Sequence, residues 1–400
     1  MRVCKVWDGE YPWDVRVEKV AQSLTRAGHE VHLVARNRQR RAIRETMVEA
    51  EVYRLRPWRF LGKRVDDATM FPAFFNPRWL GAIHRTARDS RAEVILVRDL
   101  PLAPTAIWAG RRLGIPVVLD MAENYPAMLR GRVQLGVHAP QDVLLRNAGA
   151  AAAVERWVLR RIDHVLVVVE ESRDRLRALG VPAEKITVVS NTPSLTRLDE
   201  FPRKAHEHGP TLDLIYLGLL EAPRGIEVML EGLARARQTG VMARLTILGD
   251  GRERQVFEAK ARVLGLDEDA VRFFGRMPYQ DALKLLQQAD VGVIPHVASE
   301  HWNTTIPNKL FDYMAGGLAV LTSDAKPAAR IVSETGVGVV FRDGDASACA
   351  AAIARLADPA LRRWCGENGR SAVAASYNWD LDAARLLDAV ARVVKTRTSA

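Results

Sequence analysis

Short runs of β-branched and aliphatic residues recur along the chain, separated by longer stretches with helical spacing of apolar positions. Strands are predicted at 3–7, 31–35, 94–97, 117–120, 164–169 and 186–189. A second series follows at 212–217, 244–248, 271–274, 291–295, 319–322 and 338–341. Helical patterns lie between several of these, as at 17–27, where Gly28 closes the helix. Such alternation predicts a parallel sheet with helices on both faces. Occurring twice, it predicts an α/β chain of two Rossmann-like domains, 1–200 and 211–379. The stretch 201–210, rich in Pro, Gly, His and charge, reads as the linker. In open parallel sheets ligands bind beyond the carboxyl ends of the strands, so two such domains facing each other would enclose a cleft.

A length of 400 residues exceeds one ordinary core, in keeping with two domains. The composition, 48% hydrophobic and 26% charged, is that of a soluble globular protein. The longest apolar runs, such as Val165-Leu166-Val167-Val168-Val169, have strand length and fall far short of the roughly 20 residues of a membrane-spanning helix. The chain enters a strand at once, so no signal peptide is predicted. Cys4, Cys349 and Cys365 form an odd set without close metal-ligand spacing. They read as reduced thiols and point to a cytoplasmic protein.

Charge alters this picture. The net charge is +10, and residues 1–200 carry 33 Lys/Arg against 24 Asp/Glu, while the remainder carries 25 against 24. Residues 36–64 alone hold ten basic and three acidic side chains. Trp58, Phe60, Phe71, Phe74, Phe75 and Trp79 interleave or follow. Such a segment suits an anionic membrane surface or an anionic acceptor, or is a plain solvated surface over core aromatics. A peripheral place at the inner face of the membrane is one expectation from it. No nucleic-acid-binding module is recognisable, and no nucleic-acid partner is expected.

The densest chemistry lies in Asn303-Thr304-Thr305-Ile306-Pro307-Asn308-Lys309-Leu310-Phe311-Asp312-Tyr313-Met314-Ala315, which follows the run at 291–295. Thr304 or Thr305 is expected to cap a helix whose first turn takes Pro307. That N-terminus would present unpaired N–H groups and a positive dipole end to an anion such as a diphosphate. Lys309 would add a full charge. Asp312, one turn on, would repel phosphate but can accept two hydroxyls of a ribose. Diphosphate with ribose means a nucleotide. Alone, Asp312 would be an ordinary helix carboxylate, or the i,i+3 partner of Lys309 in an ion pair contributing about 0.2–0.5 kcal/mol. Earlier, Gly218-Leu219-Leu220-Glu221-Ala222-Pro223-Arg224-Gly225 follows the first strand of the second domain. Its glycines permit close backbone approach, and Arg224 suits bidentate phosphate contact. Gly249-Asp250-Gly251-Arg252 reads as a structural turn, and His29 and His164 as structural histidines. His296 and the run Glu300-His301-Trp302-Asn303 lie where a donor sugar could be met.

The run Pro307-Asn308-Lys309-Leu310-Phe311-Asp312-Tyr313-Met314 resembles the nucleotide-sugar signature of glycosyltransferase family 4. These are retaining enzymes of the GT-B fold, with two Rossmann-like domains facing across a cleft. The resemblance covers nearly the whole chain. Asp14-Val15-Arg16-Val17-Glu18-Lys19 resembles the first βα unit. Arg98-Asp99-Leu100-Pro101 and Asp120-Met121-Ala122-Glu123-Asn124-Tyr125-Pro126 resemble two acceptor-side loops. Tyr377-Asn378-Trp379 precedes a final helix, about 380–400, that in this fold packs back on the first domain. Many members carry two glutamates eight positions apart, where this chain has Thr304 and Asp312. The ribose role thus passes to Asp312, and the donor-sugar role has no carboxylate. The first loop holds Tyr11-Pro12-Trp13-Asp14 in place of a Gly-Gly pair; Leu219 replaces an arginine and Arg224 a lysine.

The resemblance implies donor contacts from Gly218, Arg276, Met277, His296, Asn303, Thr304, Thr305, Asn308 and Asp312. It implies an acceptor side formed by Asp14, Arg16, Asp99 and Glu123, and catalytic roles for Arg224 and Lys309 against the leaving diphosphate. The expected activity is sugar transfer, with retention, from a UDP- or GDP-sugar to a hydroxyl of a glycan or lipid-linked glycan in cell-surface polysaccharide synthesis. No cofactor or metal is expected, because the two cations would neutralise the leaving group. An epimerase or hydrolase of the same fold, and a non-catalytic nucleotide-sugar binding protein, are the competing readings. A dehydrogenase is disfavoured, since no Gly-x-Gly-x-x-Gly follows the first strand.

Overall fold

The computed structural model describes residues 1–134, 147–196 and 211–398, apart from 13, 59, 61, 72 and 73. The linker expected at 201–210 lies outside the described residues. The chain divides into two compact units, Met1–Ser190 with Asp382–Ala400, and Asn191–Leu381.

The first unit is built on β1 (Arg2–Glu10), β2 (Glu30–Arg36), β3 (Arg44–Thr46), β4 (Glu51–Arg54), β5 (Val94–Arg98), β6 (Val117–Met121), β7 (His164–Val167) and β8 (Ile186–Val188). Their order is β3-β4-β2-β1-β5-β6-β7-β8. Every pairing is parallel except that of β3 with β4. Central strands are covered on both faces, which is why they read as unbroken apolar runs. Cys4, Val6, Ile95, Val97, Leu119 and Val165 pack in one core with Trp79 and Ile83 of the helix Pro77–Asp89 and Ala106 of the helix Ala103–Leu113. Asp14 starts the helix Val15–Arg26 by accepting from the Val17 N–H at 2.8 Å. Asn76 does the same for Pro77–Asp89. At the far end of the chain, Leu386, Ala389 and Val390 are buried, and Arg397 pairs with Asp163 at 3.1 Å.

The hairpin of β3 and β4 is absent from the predicted strands. Both are short and rich in charge, and β3 keeps no fully buried position. The basic segment containing them is also less free than its composition suggests. Arg40 pairs with Asp66 and Asp67, Arg78 with Asp66 at 2.7 Å, and Arg54 with Glu45 at 2.6 Å.

The second unit holds β9 (Leu212–Leu217), β10 (Ala243–Leu248), β11 (Val271–Phe274), β12 (Val291–Ile294), β13 (Ala319–Ser323) and β14 (Gly338–Phe341). All pairings are parallel, in the order β11-β10-β9-β12-β13-β14. Leu214, Tyr216, Met229, Leu233, Ile247, Val293, Leu321 and Ile353 share its core. The chain runs outward from β9 through β10 to β11, then returns to β12 and runs out the other way. The reversal between β9 and β12 is a topological switch point, where the loops at the carboxyl ends diverge and leave room for a ligand.

Candidate active site

Two loops meet at that switch point. The loop after β9 spans Gly218 to Gly225, and the loop after β12 leads from Pro295 to the helix Lys309–Gly316. Gly218 has φ +142°, and a Cβ there would stand 3.1 Å from Lys309 Nζ. Gly225 has φ +66°, and its Cβ would fall 1.6 Å from the Pro295 carbonyl oxygen. Any side chain at 225 would push the loops apart, so glycine is required there. The Val297 N–H donates to the Pro223 carbonyl at 3.1 Å and joins the two loops a second time.

Lys309 and Arg224 face this junction. Lys309 Nζ is enclosed without a hydrogen-bond acceptor and sits 3.8 Å from the centroid of the Tyr216 ring. Burial, and then the Arg224 charge, hold its pKa well below the usual lysine value. The i,i+3 ion pair with Asp312 does not form. Arg224 lies over the Trp302 ring at 4.7 Å, with Nη1 3.4 Å from His296 Nε2. His296 is fully buried, and burial, Lys309 and Arg224 drive its pKa well below 6.5. It is therefore a neutral imidazole at physiological pH, able to accept from Arg224 through Nε2.

Several expected donor contacts are placed differently. Thr304 and Thr305 do not cap the helix, which begins at Lys309 with Asn308 in the cap position and no side-chain cap bond. Pro307 disfavours helical backbone at Ile306 and so delays the helix. The Thr304 hydroxyl turns back to the carbonyls of Glu300 and His301 at 3.0 and 3.2 Å, and Thr305 is buried. Asn303 is spent elsewhere: its side-chain oxygen accepts from the Lys326 N–H at 3.0 Å, at the start of the helix Lys326–Thr335. Asn308 is exposed beside the cluster, and Asp312 is half-buried in the first helical turn. Arg276 and Met277 follow β11, the edge strand, which β10 separates from β9. Arg276 is exposed and Met277 half-buried. Tyr216 had no part in the sequence reading. A tyrosine in an apolar strand carries no functional signal until its ring is seen beneath an ammonium.

In the first unit Asp14, Asp99 and Glu123 gather around Arg98. Burial would lower the Arg98 pKa, yet the carboxylates of Asp99, Asp120, Asp14 and Glu123 raise it. Asp99 is buried at φ +61°, and its Oδ1 accepts from the Ala122 N–H at 2.9 Å. Burial lifts its pKa to about 6 against the pull of Arg98. Arg16, expected at the acceptor side, is instead an internal tie. Its Nη2 meets Asp120 at 2.7 Å and the Val189 carbonyl at 2.9 Å, and its Nη1 meets the Ser190 carbonyl at 3.1 Å. Only 2% of its surface is exposed.

A family model described as a glycosyl transferase 4-like domain matches residues 14–192, and one described as glycosyl transferases group 1 matches 211–358. The chain is 26% identical to the glycogen synthase of Mycobacterium tuberculosis over 302 residues, 74% of this chain and 67% of that protein. It is 27% identical to the phosphatidyl-myo-inositol mannosyltransferase of Mycobacterium leprae over 320 residues, 78% and 77% of the two chains. The solved sucrose-phosphate synthase from Thermosynechococcus elongatus superposes with a TM-score of 0.75 at 19% identity, over 99% of this chain and 100% of that one. The fold is thus GT-B, and the protein is a glycosyltransferase. It belongs to glycosyltransferase family 4.

Proposed function

We propose that the protein transfers a sugar, with retention, from a nucleoside-diphosphate donor to a hydroxyl of a glycan or lipid-linked glycan in polysaccharide synthesis. The observation that carries this is the pair Lys309 and Arg224. Among the described residues neither has a carboxylate partner, and one depresses the pKa of the other. An enclosed cation beside a like charge is destabilised until an anion joins them. A diphosphate fits, with Asp312 one turn further on to accept ribose hydroxyls and the loop of Arg276 and Met277 for the base.

As the bond from the anomeric carbon to the phosphate oxygen breaks, negative charge grows on the diphosphate. Lys309 and Arg224 neutralise it where it develops. Loss of one such preorganised donor commonly lowers turnover by about 10²–10³-fold. The departing phosphate oxygen takes the proton of the acceptor hydroxyl as that oxygen bonds to the anomeric carbon on the same face. Asp14, Asp99 and Glu123 around Arg98 are the proposed acceptor contacts. We also infer a docking surface for anionic membrane around Phe60, from exposed aromatic and cationic side chains there.

The test is thermal unfolding with uridine, guanosine, adenosine and thymidine diphosphates, for the wild type and Lys309→Ala. A ligand at about 100 times its Kd adds about 2.7 kcal/mol. One nucleotide should raise the transition of the wild type and leave that of the variant unmoved. No shift with any of the four at millimolar concentration would reject the donor site. Donor consumed without acceptor would point to the epimerase or hydrolase reading, and binding without turnover to a non-catalytic protein.

A further inference from the structure

Arg224 is held differently from several arginines of the second unit. Arg244, Arg254 and Arg330 are each held by a carboxylate. Arg224 lies against one aromatic face and one neutral imidazole. The two rings are themselves packed, with centroids 4.1 Å apart and planes tilted by 34°. His301 also meets the indole, edge-on at 4.9 Å and 65°. Trp302 is 8% exposed, and its indole N–H meets no acceptor. The ring is thus anchored by packing rather than by a hydrogen bond. A carboxylate in this position would hold Arg224 more tightly and also cancel the charge that a departing diphosphate needs. An aromatic face orients a guanidinium and leaves its charge available.

We propose that Trp302 and His296 are positioning residues that hold Arg224 toward the departing diphosphate. This rests on the reading of Arg224 as a leaving-group cation. Trp302 supplies the surface on which the guanidinium lies, and His296 accepts one of its N–H bonds and fixes its rotation about that surface. The neutral state of the imidazole is essential to the second role, since a protonated ring has no lone pair to offer. The arrangement belongs to this chain's own loop, two residues before Thr304, which occupies the place of a carboxylate common in relatives.

The experiment is a double-mutant cycle in sugar transfer, with donor affinity and thermal unfolding measured on every variant. Arg224→Ala should lower kcat strongly, by about 10²-fold or more. Trp302→Leu should lower kcat by about 5- to 30-fold with donor KM nearly unchanged, and Trp302→Phe, which keeps a ring face, by less. The double variant Trp302→Leu with Arg224→Ala should be no slower than Arg224→Ala alone, because the indole acts through the arginine. His296→Gln, which keeps an acceptor, should be faster than His296→Leu. Additive losses in the double variant, or a Trp302→Leu enzyme of wild-type kcat, would overturn the proposal while leaving Arg224 in its role. An Arg224→Ala enzyme of wild-type kcat would instead remove the reading on which the proposal rests. Trp302→Phe keeps the test decisive if Trp302→Leu unfolds.

Discussion

Lys309 is an ammonium enclosed without an acceptor, and the charge it feels is a cation. Its folded-state pKa lies below that of the unfolded chain. Between those values the unfolded chain holds a proton that the folded one lacks, so the stability of the free protein rises with pH across the window. Diphosphate binding runs the other way, because it needs the charged form and weakens as pH climbs through the lowered pKa. The thermal shift caused by a nucleoside diphosphate should therefore shrink as pH rises from neutral toward the usual lysine value of about 10.4. In Lys309→Met the residual shift should be flat. A wild-type shift unchanged across that range would contradict a charged Lys309 on the phosphate. That Lys309 and Asp312 share the first turn of a helix was legible in the sequence, because they sit in a thirteen-residue motif. The hydrogen-bond partners of Asn303, Thr304 and Arg16 were not. Short polar side chains find many local backbone partners, and which one they take depends on turns that residue type leaves open. Arg16 is charged and near a helix start, which suggests exposure until its partner Asp120, more than a hundred residues away, is seen.

Elements were more legible than side chains, since most strands are rich in apolar residues and the stretches between several of them have helical spacing. The exceptions are β3 and β4, whose alternation is hidden by charge, and the helix start after Pro307. What joins elements was not visible at all. The pair of Arg16 and Asp120 links the helix Val15–Arg26 to β6 and, through the carbonyls of Val189 and Ser190, to the chain after β8. Lys5 on β1 lies nearby, its pKa lowered by burial to about 8. Burial pushes the Asp120 pKa up, but Arg16, Arg98 and Lys5 bring it to about 2. The stabilisation from this carboxylate is therefore present above the unfolded value of 3.8 and lost as pH falls through about 2. Asp120→Asn keeps the shape and strands three buried cations with one carboxylate fewer. It should cost about 3–5 kcal/mol in urea unfolding at neutral pH. A change below about 1 kcal/mol would show that the pair is dispensable.

For the whole molecule, composition pointed to two cores and to charge gathered in the first half, but not to where that charge is free. Ion pairing sorts the basic segment. Asp66 and Asp67 turn inward to Arg40 and Arg78, while Arg56, Lys63 and Arg64 remain exposed. Beside them Phe60 is 81% exposed and stacks on Trp58 at 5.8 Å, and Val65 is 55% exposed. An aromatic pair beside exposed cations suits the interface of an anionic bilayer, where each basic residue contributes about 1 kcal/mol. Among the described residues no helix is long and apolar enough to cross a membrane. The protein should sediment with phosphatidylglycerol vesicles at low salt and be released as the Debye length falls to about 10 Å near 0.1 M. Phosphatidylcholine vesicles should leave it in solution. The triple variant Phe60→Ser, Lys63→Glu, Arg64→Glu should abolish sedimentation while keeping nucleotide binding and thermal unfolding intact, because all three side chains are exposed residues of the first unit. Equal binding to neutral vesicles, or none to anionic ones at low salt, would reduce the patch to a solvated surface and leave the acceptor to be met from solution.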